Sequence, residues 1–127
     1  MVALIVDDDE SCRELLTLHL RSLGYSGVRA ARDGAQALRI FDEIPGQPEI
    51  VLTDIFMPEA DGFEFLSGLS KRRFAGELVL FSGGDEEIFE LAKVIAVSNR
   101  LNLVGTCRKP VTLEDLSTVV KRIQYQE

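Results

Sequence analysis

The chain has 127 residues, 46% of them hydrophobic, and a formal net charge of −7. This length suits one domain with one full core, and the acidic balance gives non-specific nucleic-acid binding no electrostatic help. No apolar run approaches the ~20 residues that cross a bilayer. The opening "MVALIVDDDE" turns acidic without a basic leader, unlike a signal peptide, so neither nucleic acid nor membrane is an expected direct partner. Cys12 and Cys107 are too few for a disulfide scaffold and read as small buried hydrophobes in a reduced, cytoplasmic chain.

Leu4 to Val6 read as a strand that runs straight into Asp7, Asp8 and Asp9. Ser11 to Leu23 follow with a helical stripe of Leu16, Leu20 and Leu23, closed by Gly24. His19 falls within it, as a partly buried helix residue. Val28 to Ala30 is a short strand, and Asp33 is placed to cap a helix burying Ala37, Leu38 and Phe41. After the loop "IPGQP", "EIVLTD" is a strong strand ending in Asp54. "MPEADGFEFLSGL" is a turn and a short helix using Phe63, Leu66 and Leu69.

"ELVLFSGG" is a strand that runs into two glycines. "DEEIFELAKVIAVSNR" is a helix with acids in its first turn, which suits the helix dipole. Its core stripe reads Ile88, Leu91, Ala92 and Ile95, with a second apolar stripe at Val94, Val97 and Leu101 that reads either as a covered surface or, at Val97 and Leu101, as closing the core. "LNLVGTC" is the last strand. Beyond Pro110 a helix opens on Thr112 and Asp115, spaced as a capping box, with Leu113, Leu116, Val120 and Ile123 as its stripe.

Five strands alternating with five helices predict an α/β fold, a doubly wound parallel sheet covered on both faces. Such sheets place ligands beyond the carboxyl ends of the strands. That edge should gather Asp7 and Asp8, Asp54, Ser82 with Gly83 and Gly84, and Lys109 with Pro110. Crowded carboxylates repel one another, and a hard divalent cation reverses the repulsion. Oxygen-only ligands suit Mg²⁺. A cation beside a nucleophilic carboxylate, with hydroxyl and ammonium donors opposite, suits phosphoryl transfer. Asp9 reads as a first-turn helix acid outside the site.

"LIVDDDES", "VLTDIFMPEADGFEFL", "LVLFSGG" and "CRKPVTLEDL" resemble, in order and separation, the signature segments of the receiver domain of bacterial response regulators. The likeness implies a (βα)5 flavodoxin-like sheet of order 2-1-3-4-5 spanning residues 1–127. Asp54 would be the phosphoacceptor for a sensor histidine kinase or phosphotransfer protein. Asp8, Asp54 and the backbone carbonyl of Phe56 would bind Mg²⁺, with Asp7 acting through metal-bound water. Ser82 and Lys109 would hold the phosphoryl group. Lys109-Pro110 is a candidate cis bond. The protein would be a signalling switch with slow self-catalysed loss of phosphate, not a classical enzyme. An output domain or a second copy would meet the face formed by the fourth helix, fifth strand and fifth helix. The segment from Ser82 to Leu116 is also similar to receivers attached to EAL-type phosphodiesterases, and the chain reads equally as a stand-alone regulator or part of a longer one.

Two positions depart from that pattern. Thr106 stands where many receivers carry an aromatic ring that gates the output surface. Phe56, two after the acceptor, predicts slow loss of phosphate by hindering water, while Gly84 is expected to leave that flank open. The rivals are a haloacid-dehalogenase-type phosphatase, which would want an aspartate at position 56, a flavodoxin-type binding module, and a degenerate receiver that binds without phosphorylation.

Overall fold

The structure, a computed structural model, describes residues 1–57 and 61–125, and the side chains of these except Asp61, Ser82 and 121–125. Ten elements alternate: β1 (Val2–Val6), α1 (Glu10–Ser22), β2 (Gly27–Ala31), α2 (Gly34–Glu43), β3 (Ile50–Asp54), α3 (Asp61–Lys71), β4 (Glu77–Ser82), α4 (Glu86–Ser98), β5 (Asn102–Arg108) and α5 (Leu113–Tyr125). All strand pairs are parallel, in the order β2-β1-β3-β4-β5, as expected from the alternation and the resemblance.

Side chains of successive strand residues point to opposite faces, so each central strand feeds two cores. Leu4, Val6, Val51, Leu78 and Leu80 pack under α2, α3 and α4. Ala3, Ile5, Ile50, Leu52, Val79 and Phe81 pack under α1 and α5. Every residue of β3 is buried, which is why "IVLTD" carries no polar alternation before its last two positions.

The caps of α2 and α5 fall where the sequence reading puts them. Asp9, Asp33 and Asp85 accept backbone N–H groups of Cys12, Gln36 and both Glu87 and Ile88. Asp9 is thus the N-cap of α1, one residue before the first turn assigned to it. At α5 the Thr112 hydroxyl accepts from Asp115 N–H at 3.0 Å, and Asp115 accepts from Thr112 N–H at 3.2 Å, a capping box with aspartate as its acid. Gly24 ends α1 with a φ of +102°. Lys109-Pro110 is cis.

Several buried faces differ from the sequence reading. In α4 the core positions are Phe89, Ala92 and Ala96, whereas Ile88, Leu91, Val94 and Val97 are exposed. This helix is apolar on two faces, so period alone does not select which one is buried. Leu101 closes the core. In α3 Phe65 is fully buried and Phe63 only half-buried; in α2 Ile40 is buried and Leu38 half-buried. In α5 Leu116, Val119 and Val120 are buried while Leu113 is exposed. Ile123 lies outside the side chains described. Leu23 caps α1 and is half-buried, and His19 is half-buried as expected.

Candidate functional site

The register brings the chemistry together. Val6 pairs with Thr53, Asp54 with Phe81, and Ser82 with Arg108. The residues at or just past these pairs therefore stand side by side on one edge of the sheet. β1 and β3 are neighbours here although α1, β2 and α2 separate them in sequence. This is where the strand order switches direction.

Asp7 is fully buried. Its N–H donates to Ala31 O at 3.0 Å, extending the β1–β2 ladder. Its Oδ1 accepts from Asp9 N–H at 2.9 Å, and its carbonyl accepts from Arg13 Nη1 at 2.8 Å. Asp54 is 3% exposed; its Oδ1 accepts from Phe56 N–H at 2.9 Å and its Oδ2 from Lys109 Nζ at 2.7 Å. Lys109 Nζ is also 2.6 Å from Asp7 Oδ2. That contact is an ion pair without hydrogen-bond angles, so Asp7 Oδ2 remains a buried acceptor with no aligned donor. Asp8 is exposed, and one carboxylate oxygen from each of Asp7, Asp8 and Asp54 lies within 4.8 Å of the others.

Three carboxylates thus face one ammonium, an excess of negative charge in a partly dry site. Burial pushes the Asp54 carboxyl up from its ordinary value; Lys109 and the Phe56 amide hold part of that rise back, and Asp7 adds to it. Burial alone would push the Lys109 ammonium down, but the Asp54 and Asp7 carboxylates outweigh it and raise it. The donor set is all oxygen, anionic and clustered, and its one ammonium leaves it with an excess of negative charge. It fits a hard divalent cation and offers no soft ligand.

Two glycines make room for this arrangement. A Cβ on Gly83 would sit 3.1 Å from Lys109 Cδ, and one on Gly84 would sit 2.9 Å from Phe56 Cδ1. The first lets the lysine stem cross the end of β4. The second reverses the open flank expected at Gly84: the Phe56 ring occupies it. Gly62 is likewise forced by proximity, since a Cβ there would lie 2.7 Å from Ile55 O. The Ser82 backbone ends β4 on the same edge, but its side chain lies outside those described. Thr106 is exposed on β5, and Met57 is buried in the core.

Sequence reasoning missed two residues here. Arg13 holds the Asp7 carbonyl. Cys12 is half-buried rather than a core residue, and its thiol is pushed up to about 12, first by burial and then by Asp7. Together with Leu15, Lys109 and Val111 it lines a cavity of about 390 Å³ beside the acidic cluster. The available signal was position: both residues fall in the first turn of the helix that follows the acidic strand end.

Comparison with known proteins places this geometry. The response regulator receiver domain family matches residues 3–121. A probable chemotaxis protein CheY of Rhizobium etli is 30% identical over 123 residues, covering 94% of this chain and 89% of its own length. The sensor kinase CckA of Brucella abortus is 33% identical, covering 94% of this chain, which spans only 12% of the kinase. The positive alginate biosynthesis regulatory protein of Pseudomonas aeruginosa is 35% identical, covering 96% of this chain and 46% of its own. A response regulator structure from Colwellia psychrerythraea superposes with a TM-score of 0.82 at 27% identity, covering 99% of this chain and 98% of that one. Several of the curated relatives are thus much longer than the segment they share with this chain.

Proposed function

The chain belongs to the response regulator receiver family, and from that premise we propose that residues 1–127 act as one phosphorylation switch with Asp54 as phosphoacceptor. The observation that carries this reading is the Asp54 carboxylate, buried at a strand end and held between the Phe56 amide and the Lys109 ammonium beside a second buried acid, Asp7. A carboxylate oxygen of Asp54 attacks the phosphorus of a phosphohistidine on a sensor kinase or phosphotransfer protein. The P–N bond breaks, and its electron pair leaves on the donor imidazole.

Asp7, Asp8, Asp54 and the Phe56 carbonyl would hold Mg²⁺. When bound, this ion neutralises charge on the transferred group and on the carboxylates around it. Lys109 follows the new charge from Asp54 Oδ2 to a phosphoryl oxygen, and Ser82 supplies a hydroxyl to another. Phosphorylation adds about two negative charges at this edge. The loops after β4 and β5 carry Gly83, Gly84 and Lys109, so they are the elements that respond.

The partner surfaces follow from exposure. Leu15 on α1 is exposed beside the acidic edge and suits contact with a donor helix. On α4, Ile88, Leu91, Val94 and Val97 leave apolar surface for an output domain or a second copy on the face shared with β5 and α5. Among the described residues no helix is long and apolar enough to cross a membrane, and both cysteines are free. These features suit work in a reducing cytoplasm.

The test is incubation with Mg²⁺ and acetyl phosphate, read by intact mass. A gain of one phosphoryl group in the parent and none in Asp54→Ala is expected. No gain in the parent, or an equal gain in the variant, would overturn the assignment.

A further inference from the structure

At the opposite edge of the sheet from Asp54, the connections from α3 to β4 and from α4 to β5 enclose a cleft of about 550 Å³. Its floor includes Phe74 and Leu101, both nearly buried, and its rim carries Arg73 and Arg100. Both arginines sit in left-handed backbone, with φ of 54° and 62°. They occupy equivalent places: Arg73 N–H donates to Ser70 O and Phe74 N–H to Leu69 O, while Arg100 N–H donates to Val97 O and Leu101 N–H to Ala96 O. At the end of α1 the same pair of bonds is made around Gly24. Glycine is the usual residue at that position because it takes this backbone without strain. Twice, this chain keeps an arginine there instead, and both arginines line the same cleft.

The negative ends of the α3 and α4 dipoles favour a cation at these positions, but hydrogen-bond closure of the helices does not require arginine. The terminal carbonyls are already satisfied by backbone N–H groups, as at Gly24. Among the described residues neither guanidinium makes an ion pair, whereas neighbouring Arg72 is committed to Asp42 at 2.8 and 3.0 Å. The nearby Glu77 belongs to the other face of the sheet, where its charge acts on Tyr25. The cleft is also held in shape. Gln47 donates to the Arg72 and Arg73 carbonyls and accepts from Ala75 N–H, and Ser70 Oγ donates to Asn99 O, tying the two walls together. Unpaired cations over an apolar floor, in an otherwise acidic chain, recognise one chemistry.

We propose that this cleft binds a small organic anion, its phosphate or carboxylate head between Arg73 and Arg100 and its apolar body against Ala75 and the accessible edges of Phe74 and Leu101. A guanidinium matches either head with paired hydrogen bonds, and the volume falls within the range of small-molecule sites. The site stands apart from Asp54 and does not require its phosphorylation.

The test titrates ¹⁵N-labelled protein without Mg²⁺, at constant ionic strength, with phenyl phosphate, benzoate and inorganic phosphate in separate arms. Saturating shifts are expected at the amides of residues 70–75 and 99–101, with phenyl phosphate or benzoate binding more tightly than inorganic phosphate. The better of the two identifies the preferred head. The double variant Arg73→Gly/Arg100→Gly puts glycine where the backbone favours it, so it should keep its fold and spectrum yet lose about tenfold or more in affinity. Absence of saturable shifts at these amides, unchanged affinity in the double variant, or equally tight binding of inorganic phosphate would overturn the proposal.

Discussion

Phe56 and Gly84 form a contact between two loops that neither residue signals alone. The ring lies where any larger residue at position 84 would have to be, with only 2.9 Å from its Cδ1 to an added Cβ. With Asp54 phosphorylated as proposed, the ring would stand beside the acyl phosphate and hinder the attacking water. Phe56→Asn should shorten the phosphoryl lifetime several-fold, and Gly84→Ala, which must displace the ring, should act in the same direction. Decay of the phosphorylated mass after removal of donor measures both. Tyr25 makes a separate prediction. Burial, reinforced by Glu77 and Glu49, raises its phenol above the ordinary 10.0. The unfolded chain therefore ionises first as pH rises. The stability contributed by the neutral phenol is full below the ordinary value and declines as pH climbs through the raised one. Tyr25→Phe should remove that part of the alkaline loss in denaturant titrations while leaving the neutral range free of any added pH slope.

At the scale of elements, α4 is the informative case. Phe89 faces the core and Leu91, two residues on, is 52% exposed. Phe89→Ala should cost about 3–5 kcal/mol through lost burial and a cavity. Leu91→Glu should change stability by less than about 0.5 kcal/mol but weaken any association made through the outer face of α4. Urea unfolding of the two variants distinguishes this orientation from one in which Leu91 is core. The helix pairs are held more modestly: the two-pronged Arg72–Asp42 bridge ties α2 to the turn just past α3, and its exposed carboxylate is held below the usual range by that guanidinium. Packing of Phe41 edge-on against Phe74, with ring centroids 5.6 Å apart, joins the α2 side of the core to the α3–β4 connection.

For the whole molecule, the acidic edge sets function against stability. Carboxylate oxygens of Asp7, Asp8 and Asp54 crowd within 4.8 Å of one another, with one ammonium paired to Asp7 and Asp54, and the repulsion left over is what a divalent cation would relieve. Asp8 is the exposed member and makes no ion pair among the described residues. Asp8→Asn should therefore raise the melting temperature of the metal-free protein by about 4 °C, the shift that ~1 kcal/mol produces in a domain of this size. The same variant should lose most of the stabilisation that millimolar Mg²⁺ gives the parent. Thermal unfolding with and without Mg²⁺ tests both halves. A fall in melting temperature would show that Asp8 is stabilising rather than strained.

The sequence by itself determined the alternation of strands and helices, the caps at Asp33 and Thr112, and, through the parallel-sheet rule, the meeting of Asp7, Asp8, Asp54 and Lys109 at one edge. Each is a local signal or a consequence of topology, legible because strand length, period and capping chemistry are written in neighbouring residues. Tertiary structure alone decided which side of α4 is buried, that Lys109 stands between Asp7 and Asp54, that Phe56 closes on Gly84, and that Arg73 and Arg100 share a cleft. These depend on how segments far apart in the chain pack, and a helix apolar on two faces or a lone glycine carries no local mark of its eventual neighbour.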